Sequence, residues 1–335
     1  MSKKIALTGI KPTGMPHLGN FFGAIKPALE LSETYESRYF IADYHALNTI
    51  QDAETLKNYT YEVCATWIAS GLDPEKILLY RQSDVPETFE LNSFLMNFTA
   101  KGLMNRAHAY KAVSGENIAN GKDQDFKINM GLYTYPILMA ADILLFDTEV
   151  VPVGADQVQH VEYTADIAQR VNHTYGEELL VIPSAKISGS FDVVKGSDGR
   201  KMSKSYNNTI PLYQQSKKMR KQIMKVVTNS QEIEESKDPD VCNVFALYRL
   251  FASEAEQDAL AERYRAGGLG WGHAKQELFE KMEEVLGDNR DRYFELLEDK
   301  EYMDKVLKEG AEKAREIASQ TMKRLRKAAG FNLNS

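Results

Sequence analysis

Residues 8–20, TGIKPTGMPHLGN, commit the start of the chain to a strand that turns through glycines and prolines into a helix. Ile5 and Leu7 ahead of the turn alternate as a strand does. Gly9, Pro12, Gly14 and Pro16 supply the turn, and His17-Leu18-Gly19-Asn20 opens the helix, whose unpaired N–H groups and dipole favour an anion. A nucleotide phosphate is the first ligand this arrangement suggests. Two commoner phosphate loops are excluded by their letters. Gly9 and Gly14 have the P-loop spacing, but Met15-Pro16 stands where that loop needs Lys and Ser or Thr, and no G-x-G-x-x-G follows the strand.

The alternation continues downstream. Residues 38–46 (RYFIADYHA) and 76–81 (KILLYR) predict strands flanking a helix over 53–70 that Gly71 and Pro74 end, and residues 149–153 and 179–187 predict strands flanking a helix over 158–175. The pattern is α/β: parallel strands joined by right-handed crossovers, with ligands gathering at the strands' carboxyl ends. Tyr44, His45 and Gly154-Ala155-Asp156-Gln157 fall at such ends. Helical patterns cover 88–111, and the polar stretch 114–125 (SGENIANGKDQD), without apolar period, predicts a long loop. Beyond Asn208 the pattern is helical nearly to the end, with breaks at Asp238-Pro239, Gly267-Gly268 and Gly287.

Two further features carry chemistry. Arg200-Lys201-Met202-Ser203-Lys204-Ser205 sets three cations and two hydroxyls beside Gly196 and Gly199, a donor-rich loop able to cover a triphosphate. Asp142 is the only charge in 135–146 (YPILMAADILLF), where a carboxylate is costly to bury unless a donor meets it. That donor is either an internal partner from elsewhere in the chain or a ligand. His160 and Glu162 begin the helix 158–175 without a third ligand at suitable spacing, which makes them structural rather than a metal site.

HLGN at 17–20 resembles the HIGH signature and KMSKS at 201–205 the second signature of the class I aminoacyl-tRNA synthetases. Between them, TYPILMAADIL (134–144) and VPVGADQVQHVE (151–162) are similar to pocket segments of the tryptophanyl members, and the likeness runs in order from Lys4 to about Gly330. The resemblance implies a Rossmann-like catalytic domain over 1–205, completed by the C-terminal helix 301–335, and a helical anticodon-binding domain over 206–300. It implies a ligase that makes tryptophanyl-adenylate from L-tryptophan and ATP with Mg²⁺, passes the acyl group to tRNA(Trp), and works in the cytoplasm as a homodimer. Lys201, Lys204, Thr13 and His17 are then the catalytic residues. ATP would lie against Lys11, Pro12, Thr13, Gly19, Asn20, Lys111, Gly154, Ala155, Asp156 and Val193, and against Lys201, Met202, Ser203, Lys204 and Ser205. Tryptophan would lie against Asp142, Met139, Tyr135, Gln157 and His45, with Asp142 accepting the indole N–H, which is a donor only.

Three departures qualify the likeness: Lys11 where many relatives carry Gln, Leu7 where an aromatic is usual, and Tyr206 in place of an acid after KMSKS. Lys11 points either inward to an anion or out to solvent. A tyrosyl enzyme shares both signatures, but its pocket needs partners for a phenolic hydroxyl. A regulator that binds without charging tRNA would not need KMSKS, and a small-molecule adenylyltransferase would not need the long helical C-terminal part.

Composition narrows the partners. A formal net charge of -7 over 335 residues opposes indiscriminate nucleic-acid binding. Cations still cluster at Lys217, Lys218, Arg220, Lys221 and Lys225, and again at Lys313, Arg315, Lys323, Arg324, Arg326 and Lys327, as solvated helix faces or, given the resemblance, tRNA contacts. Cys64 and Cys242 lack metal-ligand spacing and read as buried thiols of a reducing compartment. No apolar run is long enough to span a bilayer, and MSKKIALTG enters a strand without a secretion signal.

Overall fold

A computed structural model of the protein describes residues 3–187 and 193–331. Strands β1 (Ile5–Ile10), β2 (Glu36–Ile41), β3 (Leu78–Arg81), β4 (Val150–Val153) and β5 (Ser184–Ile187) form a parallel sheet in the order β3-β2-β1-β4-β5. The order reverses at β1, so the crevice between the carboxyl ends of β1 and β4 is where a parallel sheet of this kind receives a ligand. β1 lies in the middle of the sheet, and Ala6, Leu7 and Thr8 are all buried rather than alternating.

Helices cover both faces. Tyr39 and Ile41 of β2 point to one core, where Leu18, Ile25 and Trp67 meet them, while Phe40 between them points to the other, with Leu7, Ile137, Ala141 and Phe146. The first core runs on without a break into Tyr213, Ile223, Phe245, Tyr264 and Leu278, so the C-terminal helices share apolar packing with the sheet. Those helices are Ser216–Ile223, Asn243–Tyr248, Glu254–Ala266 and Trp271–Glu298. The break expected at Gly267-Gly268 is present, both residues having positive φ. The one expected at Gly287 is not: the helix continues through it, because Met282, Leu286 and Tyr293 bury on its inner face and outweigh the roughly 1 kcal/mol that a helical glycine costs.

Several other expectations need correction. The strand expected over 179–187 forms only over Ser184–Ile187, the helical stretch 88–111 is broken after Met96 and again after Met104, and among the described residues no helix lies between Ile223 and Asn243. The strand expected over 38–46 stops at Ile41, and Asp43–Ala46 is a helical turn. The buried Asp43 carboxylate causes it by accepting the backbone N–H groups of Tyr44 (3.1 Å) and Ser83 (3.0 Å), which bends the chain out of the sheet. The stretch 114–125 is not an open loop. The helix His108–Ala119 runs into it and a tight return at Gly121 (φ 66°) follows. Asn117 holds the return by donating to the carbonyls of Gln124 (3.1 Å) and Phe126 (2.9 Å), and Tyr110 donates to Asp125 (2.8 Å). Its buried face is Tyr110, Ser114 and Asn117, helically spaced but mostly polar, so apolar periodicity does not reveal it. Asn117→Ala is expected to cost about 1 kcal/mol and to speed amide exchange over 123–127 selectively; exchange there left unchanged, or speeded equally across the whole chain, would refute the role.

The helix Lys300–Ala328 packs across β3 so closely that a Cβ at Gly310 would lie 1.8 Å from the Leu79 carbonyl oxygen. Arg315, Arg324 and Arg326 on this helix pair with Glu87, Asp147 and Glu90. These three cations, read from sequence as available to tRNA, are engaged in holding the helix in place. None of the described helices is long and apolar enough to cross a membrane.

Candidate active site

The helix start at 17–20 is built by its own side chains. His17 Nδ1 accepts the Asn20 N–H (3.3 Å) and Asn20 Oδ1 accepts the His17 N–H (3.1 Å), a reciprocal cap. Burial, aided by the nearby charge of Lys204, pushes the His17 pKa down to about 4, so the ring is neutral at physiological pH. With Nδ1 spent as an acceptor, the proton sits on Nε2 and remains available to donate. A Cβ at Gly19 would lie 3.0 Å from two His17 ring atoms and would press on the ring that makes the cap.

The second signature folds back onto this helix start. The Gly19 N–H points at Met202 Sδ (3.4 Å), and the Lys204 ammonium donates to the Thr13 carbonyl (2.7 Å). Gly14, at φ 108°, permits the approach, since its missing Cβ would lie 3.3 Å from Lys204 Nζ. Burial lowers the Lys204 pKa. Asn208 organises the loop. Its Oδ1 accepts the Ser203 N–H (2.8 Å), and its amide nitrogen donates to Asp198 (2.7 Å) and the Lys201 carbonyl (3.0 Å). Those bonds and Arg200 hold the Asp198 carboxyl down at about 2. Asn208 escaped the sequence reading: it stands three residues past the cationic motif, and nothing in its neighbours marks it as buried. Tyr206, which departs from the family pattern, lies under the Arg200 guanidinium, 4.7 Å from the ring centroid.

A cavity of about 260 Å³ opens at the carboxyl ends of β1 and β4, lined by Leu7, Gly9, Phe40, Met139, Ile143 and Val153 with Lys11, His45, Tyr135, Asp142, Gly154 and Gln157. Asp142 is 1% exposed. The sequence left its partner open between the protein and a ligand, and the protein supplies two: His45 Nε2 lies 2.9 Å from Oδ2, and Gln82 Nε2 donates to Oδ1 (2.8 Å). Burial raises the Asp142 pKa, and these two contacts draw it back. Each oxygen keeps a lone pair beyond its one contact, so the carboxylate can still accept from a molecule in the cavity. Gln82, wholly buried, is the second residue that sequence reasoning missed; it is the first residue after β3, at a carboxyl end.

Tyr135 hydrogen-bonds His160 through its hydroxyl, so His160, assigned a structural part from sequence, stands directly behind a cavity wall. More than a third of Lys11 is open to solvent, yet it lines the cavity, where desolvation lowers its pKa. Pro12 is buried in the same turn. Lys201 and Ser205 are exposed on the loop, and Ser203 Oγ meets Ser205 Oγ at 2.8 Å. Gly154 and Ala155 are exposed at the end of β4, while the Asp156 side chain lies outside the described residues. Lys111 is exposed on the helix His108–Ala119 and does not line the cavity, and Val193 is 57% exposed.

Residues 2–287 match the family model of the class I tRNA synthetases (W and Y). A tryptophan–tRNA ligase of Neisseria meningitidis is 48% identical over 99% of both chains, and one of Pseudomonas aeruginosa is 49% identical over 97% of this chain and 73% of its own. The crystal structure of a Campylobacter jejuni tryptophanyl-tRNA synthetase complexed with ADP and tryptophan resembles this fold with a TM-score of 0.89, at 43% identity, covering 97% of this chain and 99% of that one. With its two signature segments bonded to each other beside a cavity floored by Asp142, and with near-half identity along its whole length, this chain belongs to the class I tRNA synthetases, in their bacterial tryptophanyl branch.

Proposed function

We propose that the protein is a tryptophan–tRNA ligase: it joins tryptophan to ATP as an adenylate and passes the acyl group to tRNA(Trp). The observation that carries the reading is the buried Asp142 carboxylate at the apolar cavity, an acceptor with spare lone pairs where an indole N–H can reach it. Met139, Tyr135 and Gln157 line the same space, which supports a reading in which Met139 meets the ring and Tyr135 and Gln157 hold the amino acid's polar end. The tryptophan carboxylate attacks the α-phosphate in line, without a covalent enzyme intermediate. The chain's work is positioning and charge stabilisation, by Lys204 and Lys201 from the loop, the Thr13 turn, and the Nε2–H of His17.

Among the described residues no three His, Cys, Asp or Glu side chains converge to hold a metal ion. A Mg²⁺ accompanying ATP would therefore take its ligands mainly from phosphate oxygens, and the charge it supplies there adds to that of the lysines. We assign tRNA binding to the helical region 206–300, where the helix Ser216–Ile223 presents Lys217, Lys218 and Lys221 outward, and the catalytic part to 1–205 with the returning C-terminal helix. Exposed Tyr44, Leu47, Phe126 and Met130 suit a covered face, which favours a homodimer, and we place the enzyme in the cytoplasm. Tryptophan-dependent exchange of pyrophosphate into ATP, followed by charging of tRNA, tests the assignment. Exchange that runs as fast with tyrosine as with tryptophan would overturn it.

Lys11 supplies a fixed charge where relatives with Gln supply a dipole. Its place in the cavity wall favours the inward reading. Lys11→Gln is expected to weaken tryptophan relative to tryptophanamide by about 1 kcal/mol, roughly fivefold, and to steepen the Mg²⁺ dependence of adenylate formation. An unchanged ligand ratio and an unchanged Mg²⁺ titration would return Lys11 to the surface.

A further inference from the structure

The helix Ala53–Ala69 passes beneath the turn on which Lys204 rests. Tyr59 and Glu62, three residues apart, are neighbours on one face of it. A Cβ at Gly14 would lie 3.5 Å from Tyr59 Cζ and 3.3 Å from Lys204 Nζ, so that face looks onto the Thr13–Gly14 turn and the docked ammonium. Glu62 Oε2 is buried there without a hydrogen-bond partner. From the other side comes the helix Trp271–Glu298, packed on Ala53–Ala69, whose buried Tyr293 hydroxyl also lacks a partner.

A buried carboxylate oxygen without a donor costs stability unless a nearby cation offsets it. The charges concerned act on one another. Burial raises the Glu62 pKa and Lys204 draws it back; burial lowers the Lys204 pKa and Glu62 draws it back; and the Tyr293 hydroxyl is pushed up by burial and then by Glu62. No role in the reaction outlined above uses Glu62.

We propose that Glu62 is a positioning residue for Lys204: its carboxylate, acting across the turn rather than as a direct ion pair, draws the ammonium toward the Thr13 turn until the charge growing on the departing pyrophosphate draws it away. The proposal rests on Lys204 acting as a phosphate cation. With ATP in its ground state, Glu62 competes for the lysine and weakens its grip on the phosphates. In the transition state the phosphate charge wins. Binding that would otherwise be spent equally on substrate and transition state is thereby reserved for the latter, which is the condition for an interaction to raise the rate.

The test is a double-mutant cycle on the full chain, with ATP affinity from equilibrium binding and the rate of adenylate formation from single turnovers. Glu62→Gln is expected to tighten ATP about threefold to tenfold, the scale of coupling within one charge network, without speeding the chemical step. Glu62→Asp should return affinity toward the parent value. In a Lys204→Ala background the same Glu62→Gln change should alter ATP affinity less than about twofold, because the residue through which it acts is gone. Tightening that persists without Lys204 would mean that Glu62 acts on the phosphates directly, and the proposal falls. It falls equally if Glu62→Gln leaves affinity unchanged, or lowers affinity, rate and melting temperature together as a structural residue would. Should Lys204→Ala by itself leave both affinity and rate untouched, the phosphate role of Lys204 is what fails.

Discussion

Lys204→Ala is expected to slow adenylate formation about 10²- to 10³-fold while weakening ground-state ATP binding only about threefold. The ammonium already stands at the turn that leads into the first helix, 2.7 Å from the Thr13 carbonyl, where desolvation lowers its pKa although the side chain keeps an exposed face. A cation held there needs little reorganisation when charge moves onto the leaving pyrophosphate, and its effect grows as solvent is excluded. Uniform binding would lower both quantities equally. Single-turnover rates and ATP affinities separate the two, and equal losses in each would reduce the loop to a binding element.

The second large effect is expected at the floor of the cavity. Asp142→Asn keeps shape and one acceptor oxygen but removes the charge, and should cost about 1 to 3 kcal/mol in the preference for tryptophan, roughly 5- to 150-fold. His45 and Gln82 sharpen the expectation. Both now meet carboxylate oxygens, and an asparagine would set its NH₂ against one of them, so either the His45 tautomer changes or Gln82 turns over. Pyrophosphate exchange with a panel of amino acids measures the loss. If tryptophan keeps its lead in the variant, the carboxylate is a structural anchor for His45 and Gln82 and the indole is recognised elsewhere. His45→Gln is a useful companion, because it preserves a donor toward Asp142 without a titratable ring.

Much of this site was legible one segment at a time. HLGN and KMSKS could be singled out as two segments, which the fold brings together, and Asp142 as a costly buried acid, because burial of a lone charge in an apolar run is a local fact of composition. The helix 158–175 was bounded correctly because an apolar face of regular period carried it. Where buried faces are polar, as at Ser114 and Asn117, the same reasoning took a helix for a loop. At Gly287 propensity lost to packing that lies in other parts of the chain.

The sequence by itself therefore determined the order of strands and helices, the two signature segments and one buried acid, Asp142, since each is set by covalent spacing and local hydrophobic period. Only the tertiary structure decided who meets whom. Gln82 reaches Asp142 because the end of β3 lies beside the helix Met130–Leu144, Lys204 reaches Thr13 because the second signature folds back onto the first helix start, and Tyr59 meets the Gly14 turn because its helix passes beneath it. Hydrogen-bond and charge partners are fixed by which chain ends lie side by side, and nothing in a local pattern of residues encodes that adjacency.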